Sequence, residues 1–229
     1  MKLLLGMNEV LLRGWIRELL LTEAAAGPEG LSSDVIVVIG KTFNGFRIYY
    51  APADDPSTLS SQRDLEPAGE VEVEWITPDE AHGTGPYVGI GIGECGGAGV
   101  VTESWASPAG QGWGKILYDV AMEYATLHGG GLISDRGSVS SNARGMWRRY
   151  LRMSGEDADV TKHQLKKFDS EQSGPGGKDD CLQHSSTYEP NIGGIPKNVE
   201  WTESPLSKRY TKEPTTISML KSMGKLVGS

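Results

Sequence analysis

Residues 104–150 read SWASPAGQGWGKILYDVAMEYATLHGGGLISDRGSVSSNARGMWRRY. The stretch spells a strand, a glycine-rich turn, an amphipathic helix, a buried strand and a second helix. The turn is Ala109, Gly110, Gln111, Gly112, Trp113 and Gly114. Glycine at three alternate positions removes Cβ atoms where phosphates can approach the backbone. The helix that follows opens with free N–H groups and the positive end of its dipole, which suits an anion. Its apolar residues, Ile116, Leu117, Val120, Ala121, Tyr124 and Leu127, recur at i, i+3/i+4 over three turns. The run His128, Gly129, Gly130, Gly131 stops it. Leu132 and Ile133 make a short strand, and Ser140 caps a helix carrying Ala143, Trp147 and Leu151.

This order resembles the cofactor-binding half of the GNAT acetyltransferase superfamily, in which a strand leads to an R/Q-x-x-G-x-G/A turn, then helix, strand and helix. Gly112, Trp113 and Gly114 match the G-x-G, with Gly110 where the family often has glycine; Ala109 stands in place of the residue that opens the motif. The family's Asn-x-x-Ala-x-x-x-Tyr pattern, whose Tyr is a general acid, falls on Ser140, Ala143 and Trp147, with Tyr150 three residues on. The resemblance implies an α+β fold: a GNAT-like mixed, mostly antiparallel twisted sheet flanked by helices. It implies acetyl-CoA as cofactor, with the pantetheine arm beside Ser104, Trp105 and Ala106. The pyrophosphate would lie on the amides of Gln111, Gly112, Trp113 and Gly114, and Ser140 would join the cofactor site. Tyr150 would protonate the leaving thiolate. A looser resemblance joins an amphipathic N-terminal segment (residues 13–24), the run from Ser134 to Ser140 and a Tyr-Thr-Lys-x-Pro-Thr-Thr-Ile ending to acetyltransferase-like proteins of tailed bacteriophages.

At 229 residues the chain suits one domain with decorations. Its 31 Gly and 12 Pro call for long irregular segments. A formal charge of −8 argues against non-specific binding to nucleic acid. Arg144, Arg148, Arg149 and Arg152 are a local exception. They read either as a solvated helix face or as a contact for CoA phosphates, nucleic acid or an acidic partner. Two cysteines, Cys95 and Cys181, make no disulfide framework. Charges at Glu9, Arg13, Arg17 and Glu18 interrupt the leading leucines, and no run reaches transmembrane length. The expectation is a soluble protein of the (host) cytoplasm that binds no membrane.

Along the chain, residues 1–33 hold an apolar first helix over 7–26, ended by Gly27 and Pro28. A core over 34–153 begins with DVIVVI (34–39), a buried strand, and FRIYYA (46–51), its partner across an Asn-Gly turn. After a polar loop over 52–69, residues 70–76 alternate Glu with Val and Trp as a half-exposed strand. Residues 87–92 alternate glycine with large side chains, again a strand. The strand AGVVTESW (98–105) feeds the glycine turn. Glu103 on it, and Glu94 before it, either face solvent or act as base toward an amine. Residues 154–197 form a long polar insertion or arm. Residues 198–229 supply a strand near 198–202 and a short helix through Ile217, Leu220 and Met223, with a mildly basic tail.

His163, Cys181 and His184 match no compact zinc pattern. Gly114 and Lys115 are followed by Ile116, so the P-loop form is missing. Two functions remain open. One is a direct acetyl-CoA-dependent N-acyltransferase with Glu103 and Tyr150 catalytic and an amine as acceptor. The other is a catalytically inactive structural or assembly protein of a bacteriophage virion, whose first helix, insertion and basic tail contact other virion proteins. Either reading allows an oligomer.

Overall fold

The computed structural model describes residues 27–75, 97–135, 139–153, 159–165 and 201–228. The expected first helix, the strand at 87–92, Glu94, both cysteines, His184, Arg136 and most of the expected insertion lie outside the described residues.

The described strands are β1 (Val35–Lys41), β2 (Gly45–Pro52), β3 (Ala68–Trp75), β4 (Gly99–Ser107), β5 (Leu132–Ile133), β6 (Val160–Gln164), β7 (Lys208–Lys212) and β8 (Leu226–Val227). The helices are α1 (Trp113–His128), α2 (Ser141–Arg152) and α3 (Thr215–Ser222). One sheet carries the order β6-β7-β5-β4-β3-β2-β1-β8. The β1/β8 and β4/β5 pairs are parallel, and the other five are antiparallel. The fold is therefore α+β on a mixed, mostly antiparallel sheet.

The unbroken apolar run of β1 buries both of its faces. Val35, Val37 and Ile39 enter the main core with Phe46, Ile48, Tyr50, Val71, Val73 and the apolar side of α1. Ile36 and Val38 join Tyr49 and Ala51 in a smaller cluster on the other face. The alternation of β3 does what period 2 requires: Val71 and Val73 go inward, leaving Glu70 and Glu72 on the opposite face. Between β3 and β4 the register slips. Glu72 faces Glu103 but Val73 faces Val101, so Thr102 is the extra residue of a bulge.

Three expectations need correction. Leu127 is 56% exposed; Ile116, Leu117, Val120, Ala121 and Tyr124 are buried as expected, and Tyr118, Met122 and Ala125 are buried with them. Residues 201–203 form a 3-10 turn, not a strand; the described strands of the C-terminal segment are β7 and β8. Part of the supposed insertion is β6, paired with β7 from Val160 opposite Lys212 to Gln164 opposite Lys208. Its Thr, Lys, His and Gln residues lie on an edge strand, where charge discourages pairing with other chains.

Candidate functional site

β4 has a strand on each side for only two residues. Gly99 and Val100 pair with Leu132 and Ile133 of β5, while on the β3 side pairing continues to Ser107 opposite Ala68. Beyond Val100, β4 thus has no described strand on its β5 side, and that stretch runs directly into the glycine turn. Gly110 and Gly112 have φ of 80° and 88°, a left-handed backbone that glycine adopts without a Cβ penalty. Gly112 is the N-cap of α1, with no side chain capping that end. Lys115 N–H donates to the Gly112 carbonyl at 2.9 Å, whereas the N–H groups of Gln111, Gly112, Trp113 and Gly114 donate to no acceptor among the described residues. The turn is pinned from below. The Tyr50 hydroxyl donates to the Trp113 carbonyl at 2.8 Å, and the two rings meet edge to face at 6.5 Å. This is a loop that can take an anion on consecutive amides.

Beyond the bulge, successive residues of β4 point to opposite faces. Ser104 points toward α1, where its Oγ accepts the Tyr118 hydroxyl at 2.9 Å. A Cβ on Gly114 would sit 3.6 Å from that of Ala106, so Ala106 shares this face. Trp105 lies on the other face, its indole N–H 3.4 Å from Glu70 Oε1. Glu103 is also on that other face, exposed and directly across from Glu72. Glu103 and Ser104 therefore do not converge on one site.

Tyr150 is not where an acid for a thiolate must be. It is fully buried, and its hydroxyl donates to Asp119 Oδ1 at 2.7 Å. Burial first, then Asp119, raises its pKa well above the ordinary tyrosine value. Trp147 is equally enclosed, packed at 5.5 Å and 89° against Tyr118 and at 5.3 Å against Tyr210. The hydroxyl of Ser140 accepts the N–H of Ala143 at 3.2 Å and serves as the cap of α2. Its own O–H remains available as a donor.

The feature missed from sequence is Tyr118. Its hydroxyl meets β4 just past the point where β5 ends. Burial pushes its pKa up to about 12; the bond to Ser104 opposes this and Asp135 adds to it. Its position one turn after Gly114 was the available signal. Equally unforeseen is the polar side of α1. Lys115 pairs with Asp119, and Glu123 with Lys212, though Asp119 and Glu123 are both buried.

Among the described residues no group of three His, Cys, Asp or Glu side chains could hold a metal, and no helix is long and apolar enough to cross a membrane. Compared with known proteins, the chain matches no family model, no curated protein and no solved structure.

Proposed function

We propose that the chain is a GNAT-like protein that binds an acyl-CoA and transfers the acyl group directly to an amine. The observation that carries this reading is the continuity of three features. β4 has no described strand on its β5 side after Val100, runs into the left-handed Gly110–Gly112 turn, and leads to amides at the start of α1 that have no acceptor among the described residues. The strand, turn, helix, strand and helix of the resemblance are present as β4, the glycine turn, α1, β5 and α2.

In this reading the pantetheine arm lies along β4 near Ser104 and Ala106, and the pyrophosphate on the amides of Gln111–Gly114. The amine lone pair attacks the thioester carbonyl carbon and the carbon–sulfur bond breaks. Tyr118, not Tyr150, gives its proton to the departing thiolate. The proton shed by the amine passes to water, and the Tyr118 phenolate takes a proton back from solvent once the products leave. Rate enhancement then rests chiefly on holding two reactants together.

A second reading keeps the fold and drops the chemistry, as in a structural or assembly protein of a bacteriophage virion. It is favoured by one observation: both aromatic residues near the acid's expected spacing, Trp147 and Tyr150, are core residues. Thermal unfolding with acetyl-CoA separates the two. A ligand that binds only the folded state at a hundred times its Kd adds about 2.7 kcal/mol. The enzyme reading expects that shift, its loss in Gly112→Val, and acetyl transfer to a primary amine. The absence of any shift at millimolar acetyl-CoA rejects it and leaves the structural reading.

A further inference from the structure

Two donors of Arg144 have no acceptor among the described residues. Its Nε and Nη2 atoms are screened from solvent and find no hydrogen-bond partner there. These atoms form the side-on edge of the guanidinium, whose two parallel N–H bonds grip two oxygens of one anion. Three features around it disfavour an unpaired cation. Arg144 lies in the N-terminal half of α2, toward the positive end of the helix dipole, and no acidic residue occupies the first turn. One turn further on, Arg148 places a like charge at i+4. Burial first, and Arg148 second, draw the Arg144 guanidinium below its ordinary value. No ion pair joins either arginine to a carboxylate among the described residues. Arg144 is only half-buried as a residue, but donors screened from water and left unpaired carry a cost, and an anion relieves all three features at once.

We propose that Arg144 and Arg148 form a binding site for a phosphate group, carried either as a phosphate monoester or as inorganic phosphate. The charge count selects phosphate. A group of about −1.5 to −2 charge balances two guanidinium ions, whereas one carboxylate balances one. The edge of Arg144 supplies the bidentate grip. Arg148, exposed beside it, completes the charge and leaves room for the remainder of an ester. The assignment is independent of acyl transfer, since the glycine turn plays no part in it.

The test is thermal unfolding of the whole chain against inorganic phosphate, with sodium chloride adjusted to constant ionic strength, and in parallel against phosphoethanolamine. A saturable rise in Tm is expected with phosphate and not with matched chloride. At least tenfold tighter binding of phosphoethanolamine identifies a phosphorylated ligand as the source; equal binding identifies free phosphate. Arg144→Lys, which keeps the charge but loses the paired edge, weakens binding at least tenfold with an unchanged circular dichroism spectrum. Arg148→Glu places a carboxylate one turn from Arg144. It raises the Tm of the phosphate-free protein and removes the response. No phosphate-specific rise, or a Kd unchanged in Arg144→Lys, overturns the proposal. Because acetyl-CoA also carries phosphates, Gly112→Val separates the two sites: it abolishes the acetyl-CoA response in the acyltransferase reading and preserves the response to inorganic phosphate here.

Discussion

Glu123 Oε2 accepts the backbone N–H of Ile217 at 2.6 Å, across 94 positions of the chain. Its Oε1 accepts Thr216 N–H at 2.8 Å. The N-cap position of α3 is Pro214, which has no side-chain acceptor. A carboxylate from the middle of α1 therefore does the work of the missing cap, at the end of the helix where the dipole favours it. The same carboxylate pairs with buried Lys212, whose ammonium also reaches Asp159 at 2.6 Å and Thr215 at 2.7 Å. Burial lowers the Lys212 pKa, but Asp119, Asp159 and Glu123 outweigh it and hold the value above that of ordinary lysine. Glu123→Gln leaves Lys212 with Asp159 as its remaining charged partner and weakens the bonds that the carboxylate accepts from α3, so it should cost about 1.5–3 kcal/mol in urea unfolding. A cost below about 1 kcal/mol for Glu123→Gln would refute the role given to this pair.

Two glycines with left-handed backbone should respond differently to alanine. Gly110 has φ 80° and open space around the position of a Cβ. Gly110→Ala should therefore cost only the torsional penalty, about 1–2 kcal/mol. Gly131 has φ 101°, and its Cβ would lie 2.5 Å from the Tyr210 carbonyl oxygen, in the backbone that pairs β5 with β7. Overpacking adds about 1–3 kcal/mol to the torsional term, so Gly131→Ala should be the more damaging of the two. Equal midpoints in denaturant would contradict this.

What the sequence disclosed and what it hid follow from the range of the interactions involved. β1, β2 and β3 were legible because DVIVVI, FRIYYA and the Glu/Val alternation are local patterns. The glycine turn and the Ser140 cap were legible for the same reason. Asp119 and Glu123 were not. At i and i+4 on a helix, after Lys115 four residues earlier, they look like a solvated, salt-bridged face. Their burial is decided by Tyr150, Lys212 and the first amides of α3, all far along the chain. Tyr150 misled in the same way. Its spacing placed it near a reacting group, but its partner Asp119 turns the hydroxyl into the core. β6 escaped notice because an edge strand rich in Lys, His and Gln has little apolar periodicity to offer.

Buried tyrosines make the alkaline limit of stability predictable. Tyr50, Tyr118 and Tyr150 all have pKa values raised above 10.0, with burial the largest cause in each. The unfolded chain loses these protons near pH 10 while the folded chain keeps them. The stability they contribute is thus present below pH 10 and lost as pH climbs through the folded values. For Tyr118 that window runs from 10.0 to about 12. One proton held only by the folded state gives a slope of about 1.4 kcal/mol per pH unit. Tyr118→Phe should reduce the fall in urea-unfolding free energy above pH 10 by about this slope. An unchanged slope would show that Tyr118 titrates alike in both states.

Tyr118 and Tyr150 can also be told apart by what they do to transfer. Each phenol makes one hydrogen bond, to Ser104 and to Asp119 respectively. Tyr118→Phe removes a bond between neutral groups and should cost about 1 kcal/mol of stability. Tyr150→Phe leaves Asp119 with Lys115 as its remaining close partner and should cost somewhat more, because the bond lost is to a charged group. If Tyr118 is the proton donor to the thiolate, Tyr118→Phe should lower kcat by about 10²–10⁴-fold with little change in KM for acetyl-CoA. Tyr150→Phe, measured well below its unfolding midpoint, should leave kcat within a few-fold of the parent. The pH profile adds a readout that folding alone would not move: the parent loses activity on the alkaline side as Tyr118 deprotonates, and Tyr118→Phe lacks that limb. The reverse pattern, with Tyr150→Phe inactive and Tyr118→Phe active, would return the acid's role to the residue that sequence spacing first suggested. It would also require the Asp119 contact to open during turnover.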